Sequence, residues 1–325
     1  MTRPLRLGTR GSVLARTQSG HVADAVASLL GQTRAASVTE VIIRTQGDDT
    51  TTPLNESKTP GLFVNALRDA LLAGEVDFIV HSFKDLPSGP VAGITVAAVP
   101  VREDIHDVLV SRENLRLSEL PAGAVVGTSS PRRAARILSA RPDLLVRPIR
   151  GNIDTRIAKV RDGEFDATVL AAAGLNRVGR QDEIAEVLDL KLMLPAPAQG
   201  ALAVECRSDD DTTLALLQQL DDPATRLITT AERALLVGLA ATCSTAIGAV
   251  AQISDGNLTV TAELSDPTNS TVERLIVEAT LPGVGDVSSA ESAAHQLGMY
   301  AAQQLLTTDL GVRVARQIQA ERGNG

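Results

Sequence analysis

His81-Ser82-Phe83-Lys84-Asp85-Leu86-Pro87 follows an apolar run and reads as the exit of a buried strand. A carboxylate at such an exit can stabilise a developing cation or accept an N–H. The plainer reading is an ordinary strand end with its charges in water. A second group is basic. From residue 132 to residue 161 there are nine basic residues and two acids, a segment of +7 inside a chain of −8. Such a region suggests a dedicated anion site, and arginine suits it because its planar fork grips carboxylate or phosphate bidentately. Arg10, Arg132, Arg133, Arg150 and Arg156 fall near predicted strand-to-helix turns. For Arg136, Arg141 and Arg161 a solvated basic face is the plainer reading. The third candidate is Cys243, between a predicted helix and a predicted strand. A lone cysteine is usually a small buried hydrophobe. A loop position leaves open an attachment point, because loops present side chains to ligands. Cys206, inside a predicted strand, fits the buried reading.

Other chemistries find little support. His21, His81, His106 and His295 lie far apart and the two cysteines form no CxxC pair, so no metal site is expected. Neither GxGxxG nor GxxxxGK[ST] occurs. Aromatic residues are 2% of the chain, too few for base-stacking platforms. The acidic balance argues against general binding of nucleic acid or anionic membrane. No apolar run approaches the ~18 residues of a membrane span. The N-terminus reads as a first strand rather than a signal peptide. A cytoplasmic protein with two reduced thiols is expected.

The elements that must position these residues alternate strand and helix. Strands are expected at 5–9, 38–44, 77–82 and 94–100, with helices at 12–30 (Ser12 as N-cap) and 61–73, and a polar loop at 45–59. A similar layout recurs: strands at 124–128, 144–149 and 166–170, and helices from about Ser130 and over 152–161. The sequence recurs too. Gly74-Glu75-Val76-Asp77 matches Gly163-Glu164-Phe165-Asp166, and Gly8-Thr9 matches Gly127-Thr128. Two related α/β lobes forming a cleft are inferred, with ligand at strand C-termini, where helix N-termini favour anions. Pro195–Gly200 reads as a crossover, after which a strand at 201–205 returns to the first lobe. A helix at 224–239, strands at 245–253, 258–264 and 273–281, and two closing helices suggest a small C-terminal α+β domain. The expected domains are 1–100 with 201–219, 105–195, and 223–325, the last carrying Cys243.

Together these segments resemble the porphobilinogen deaminase (hydroxymethylbilane synthase) family. The matching stretches are GTRGSVLA (Gly8–Ala15), GLF (Gly61–Phe63), VHSFKDLP (Val80–Pro87), GTSSPRRAA (Gly127–Ala135), IRGNIDTR (Ile149–Arg156), LPAPAQGALAVECR (Leu194–Arg207) and TAERALL…CSTAIGA (Thr230–Ala249). The resemblance implies two lobes like those of periplasmic binding proteins, plus a third domain. It implies head-to-tail condensation of four porphobilinogen molecules with loss of ammonia, then hydrolytic release of linear hydroxymethylbilane. The growing chain is primed by a dipyrromethane cofactor held through a thioether, by motif position at Cys243. The catalytic aspartate falls on Asp85. Cofactor contacts fall on Ser82, Lys84, Asp85, Thr128, Ser130, Arg132, Arg133 and Arg156. Substrate contacts fall on Arg10, Ser12, Phe63, Arg150, Arg156 and Gln199. A monomer without nucleic-acid or membrane partners is implied. The physics agrees: each pyrrole carries two carboxylates, which several arginines can hold, and a tether keeps intermediates at high effective concentration.

The chain departs from the family pattern at Thr242, where glycine is common, at Ala246, where proline is common, and at Ser57–Pro60, usually rich in lysine and glycine. The reading from another class is a non-catalytic two-lobed small-anion binding or sensor protein. A nucleic-acid binder using residues 132–161 is a further alternative.

Overall fold

A computed structural model of the chain describes residues 3–44, 64–242, 244–266, 271–282 and 287–323. The expected loop at 45–59, Phe63 and Cys243 lie outside the described residues. In chain order the elements begin with β1 (Leu5–Thr9), α1 (Val13–Leu29), the one-turn α2 (Arg34–Ser37), β2 (Val38–Ile42), α3 (Asn65–Leu72), β3 (Phe78–Ser82) and β4 (Ile94–Ala98). Next come β5 (Asp107–Ser111), β6 (Val125–Gly127), α4 (Pro131–Ala140), β7 (Leu145–Arg147), α5 (Ile153–Arg161), β8 (Ala167–Ala171), α6 (Ala172–Arg177) and β9 (Glu186–Val187). The chain continues through β10 (Leu202–Arg207), α7 (Asp211–Leu217) and α8 (Pro223–Gly238). It ends with β11 (Ile247–Ser254), β12 (Asn257–Ser265), β13 (Val272–Thr280), α9 (Val287–Leu306) and α10 (Asp309–Gly323).

Two compact units result: Met1–Glu103 with Gly200–Arg226, and Asp104–Gln199 with Leu227–Gly325. The first unit holds a five-stranded sheet of order β2-β1-β3-β10-β4. β1, β2 and β3 run parallel; β10, the strand expected to return to this lobe, lies antiparallel between β3 and β4. Side chains alternate across the sheet. Leu7, Phe78, Val80 and Val204 pack with Val22 and Val26 of α1, while Ile79 packs with Leu67 and Leu71 of α3. Both faces are covered, which is why β3 reads as a continuous apolar run rather than an alternating one.

The second unit contains a sheet of order β7-β6-β8-β5-β9, with the same pattern of parallel and antiparallel neighbours. It also contains an antiparallel sheet β11-β12-β13, whose core residues Leu258, Val260 and Leu264 cluster with Leu235 of α8 and Leu297 and Leu305 of α9. The architecture is α/β with two similar five-stranded sheets and a small C-terminal α+β part.

The sequence repeat has a structural cause. Asp77 exchanges backbone hydrogen bonds with Arg6: its N–H donates to Arg6 O and its Oδ2 accepts the Arg6 N–H at 2.7 Å. Asp166 does the same with Val125, accepting its N–H at 2.8 Å. Each aspartate therefore pins the start of the first strand of its sheet. Gly8 and Gly127 are needed for close approach. A Cβ at Gly8 would lie 2.9 Å from Ile79, and one at Gly127 2.9 Å from Ile149 and Phe165.

β5 was not legible. Only the apolar triplet Val108–Val110 marks this strand in the sequence. It opens on a charged residue, Asp107, which is fully buried for a reason given below.

Candidate active site

In the first unit, candidate residues collect where parallel strands end. Arg10 directly follows β1, and Ser12 caps α1 by accepting the Ala15 N–H at 3.4 Å. Ser82 ends β3 and pairs with the α1 residue Gln18, whose Nε2 donates to its Oγ at 3.0 Å. One turn of 3₁₀ helix, Phe83–Asp85, follows. Phe83 is buried and anchors the turn, Lys84 is half-buried, and Asp85 is exposed. Among the described residues none donates a hydrogen bond to the Asp85 carboxylate.

The register Gly8↔Ile79 recurs as Gly127↔Thr168, so Ser82-Phe83-Lys84-Asp85 corresponds to Ala171-Ala172-Ala173-Gly174 in the second unit. The shared scaffold carries a hydroxyl, a cation and a carboxylate in one copy and no polar side chain in the other.

The second unit has the basic residues. Thr128 Oγ1 accepts the Ser130 N–H at 3.2 Å, and Ser130 caps α4 by accepting the Arg133 N–H at 3.4 Å. Asn152 caps α5, taking the Thr155 N–H and hydroxyl at 2.9 Å each. Between Arg150 and this cap, Gly151 sits at φ +110, where a Cβ would also fall 2.6 Å from Thr155. Arg156 Nε donates to Gly151 O at 2.8 Å. Ser129 Oγ donates to Ile149 O at 2.8 Å and so ties one helix start to the other. Two adjacent helix N-termini, each at the end of a parallel strand, favour anions.

Arg132 and Arg133 lie deeper than their place in an anion-facing turn suggested. Both are more than nine-tenths buried, and both reach Asp107. Arg132 Nη1 donates to Asp107 Oδ2 at 2.7 Å and also to Leu194 O. Arg133 Nη2 donates to Asp107 Oδ1 at 2.7 Å, and its Nη1 to Val169 O at 2.8 Å. Gln199 Nε2 joins them, 2.9 Å from Asp107 Oδ1 and 2.8 Å from Ile105 O. Burial alone would raise the Asp107 carboxyl; the two guanidinium charges outweigh it and hold the group well below its ordinary value. Arg133 Nε is buried, and no described residue accepts from it. A buried donor without an acceptor is costly in the chain alone.

The turn around Gln199 is fixed as well. Glu232 of α8 accepts the Ala198 N–H at 2.6 Å and the Ala251 N–H at 2.8 Å, which holds Ala198 in the left-handed region at φ +61. The C-terminal sheet reaches α4 through Arg136 and Glu263, 3.3 Å apart. Beside position 243, the Thr242 N–H donates to Thr245 Oγ1 at 2.9 Å, and the Thr242 and Ser244 hydroxyls lie 2.7 Å apart. Thr242, which departs from the family glycine, thus takes part in the turn through its side chain.

Part of the +7 segment is offset by acids distant in sequence. Arg136 pairs with Glu263, Arg161 with Glu183, and the two buried arginines with Asp107. Sequence reasoning missed Asp107, Gln18 and Glu232; for Asp107 the available signal was an acid directly before the apolar triplet Val108–Val110. Cys206 is buried as expected, and burial pushes its thiol up to about 11. Among the described residues, no group of three His, Cys, Asp or Glu is placed to hold a metal, and no helix is long and apolar enough to cross a membrane.

Comparison with known proteins adds a family. The family model described as "Porphobilinogen deaminase, dipyromethane cofactor binding domain" matches residues 5–215, and "Porphobilinogen deaminase, C-terminal domain" matches residues 227–307. The chain is 49% identical over 307 residues to porphobilinogen deaminase 1 of Streptomyces coelicolor, covering 93% of this chain and 94% of that protein. It is 51% identical over 249 residues to the porphobilinogen deaminase of Mycobacterium bovis, covering 77% and 79%. Among solved structures, an arginine-specific periplasmic binding protein of Salmonella typhimurium aligns at 12% identity and a TM-score of 0.37, covering 69% of this chain and 94% of that one.

Proposed function

The chain belongs to the porphobilinogen deaminase family, and we propose that Asp85 carries its chemistry while residues of the second unit hold the carboxylates of the pyrrole chain. The reaction is that of a hydroxymethylbilane synthase: four porphobilinogen molecules are joined head to tail with loss of ammonia. The alternative of a binding protein without chemistry is not favoured by these matches.

The residues present fit the family's dipyrromethane cofactor. Two joined helix N-termini, a buried cluster with more guanidinium than carboxylate charge, and the Arg133 Nε, which has no acceptor among the described residues, all suit a ligand bearing carboxylates. Cys243 would hold the cofactor covalently, with Ser82, Lys84, Asp85, Thr128, Ser130, Arg132, Arg133 and Arg156 around it. When bound, it supplies the primer to which substrate rings are added.

Arg10, Ser12, Phe63, Arg150, Arg156 and Gln199 are assigned to incoming porphobilinogen. Arginines bind its acetate and propionate and orient its aminomethyl carbon. Asp85 accepts the pyrrole N–H, stabilises the positive charge left as ammonia departs, and takes a proton after the carbon–carbon bond forms. The observation that carries this assignment is the asymmetry of the repeat, with Ser82, Lys84 and Asp85 in one copy and alanines and glycine in the other. Asp85→Asn tests it. Asp85 is exposed, so the variant should melt with the wild type and release ammonia from porphobilinogen at least ~100-fold more slowly. Release within a few-fold of wild type overturns the assignment.

The reading extends to a cytoplasmic monomer of three domains, at 1–100 with 201–219, 105–195 and 223–325. Three separate sheets favour the division into domains, and bacterial relatives favour the location. Sedimentation of the purified chain as a dimer would contradict the monomer.

A further inference from the structure

Asp107 touches three side chains that the proposed function assigns to ligand, yet it is assigned to nothing itself. We propose that Asp107 is a positioning residue of the carboxylate-binding site, a shared clamp that orders Arg132, Arg133 and Gln199 before the ligand arrives. The inference rests on the assignment of those three residues to cofactor and substrate.

The geometry is that of an organiser. Oδ2 accepts Arg132, and Oδ1 accepts both Arg133 and Gln199, all within 2.9 Å. These donors come from α4 and from the turn before β10, so one carboxylate joins two segments far apart in sequence. Asp107 is itself rigidly placed. Its backbone pairs with Ala171 of β8 and its carbonyl accepts the Leu188 N–H at 2.9 Å. It has no exposed surface, so it cannot meet ligand or solvent directly.

Charge points the same way. One carboxylate between two guanidiniums leaves a net positive charge in a buried place, and a buried charge is tolerated when a counter-charge completes it. Arg133 is gripped at both terminal nitrogens, and its buried Nε has no acceptor among the described residues. Long arginine side chains held this way lose less freedom when ligand binds.

Simple structural support is the competing explanation, and Asp77 provides the control. It too is a buried aspartate between two arginines, Arg3 and Arg6, but at the opposite end of its strand from Ser82. The experiment takes apoprotein, isolates the folded fraction by gel filtration, adds porphobilinogen, and follows the two-pyrrole adduct by intact mass. Asp107→Asn should load at least tenfold more slowly per folded chain. Asp77→Asn should load at the wild-type rate even where it melts earlier. The double variant Asp107→Asn with Arg132→Gln keeps the net buried charge of the wild type and carries the test if Asp107→Asn does not fold. It should load no faster than Arg132→Gln alone. Wild-type loading by Asp107→Asn, or recovery of loading in the double variant, overturns the clamp. Arg133→Ala separates the two layers: if it loads normally, the cofactor-site assignment fails, and if it alone loads slowly, only the role of Asp107 fails.

Discussion

Replacing Glu205 by glutamine should loosen the sheet that carries Ser82–Asp85. Glu205 lies on β10 with 2% of its side chain exposed. Arg68 of α3 donates Nε to its Oε2 at 3.0 Å and Nη2 to its Oε1 at 2.5 Å. His81 of β3, next in sequence to Ser82, places Nε2 3.4 Å from Oε2. At about 3 Å and an effective dielectric of about 20, a full ion pair is worth ~5 kcal/mol before desolvation is subtracted. Removing one charge while Arg68 stays buried should cost ~3–5 kcal/mol. Replacing both partners, Glu205→Leu with Arg68→Met, should cost less than either single change, because no buried charge is then left alone.

Hydrogen exchange read by mass spectrometry on peptides covering β3 and β10 is the suitable assay, since two units need not unfold together. Exchange there should rise by about two to four orders of magnitude in Glu205→Gln at neutral pH. The pH dependence has a defined sign. Burial raises the Glu205 carboxyl, but His81 and Arg68 outweigh it and lower the group below its ordinary value. Its contribution is therefore complete above the unfolded value of ~4.3 and is lost as pH falls through the folded value. The difference between wild type and variant should hold from pH 7 to about pH 5 and shrink below that. A change under ~1 kcal/mol, or single-variant costs that simply add in the double, would refute the reasoning.

Gly151→Ala should destabilise the start of α5 by at least ~1 kcal/mol, because φ +110 and the contact with Thr155 both exclude a Cβ; thermal melting against wild type measures it. Asn152→Ala and Ser130→Ala should each cost about 1 kcal/mol as lost caps, also read by melting. Asn152→Ala should be the larger, since it deprives both the Thr155 N–H and its hydroxyl, whereas the Ser130 contact is long at 3.4 Å.

Local signals were the readable ones. Ser12 before an apolar helix, the return strand after Pro195–Gly200, and the two Gly-Glu-x-Asp turns each involve residues close in sequence or a pattern repeated in it. The repeat reported real geometry, since Asp77 and Asp166 make the same backbone exchange. What escaped was long-range. Counting charge over 132–161 gave +7, but the neutralising partners Asp107, Glu183 and Glu263 lie outside that window. Asp107 itself was hidden because a buried aspartate makes a short strand look like a linker. At Cys243 the residues alone favoured a buried thiol, and only the resemblance pointed to attachment.

Intact mass of the purified chain tests the central claim most directly. Wild type should exceed its sequence mass by two linked pyrrole units, and Cys243→Ser should match its sequence mass and form no hydroxymethylbilane. Active wild type at the bare sequence mass, or an equal excess on Cys243→Ser, would contradict the account.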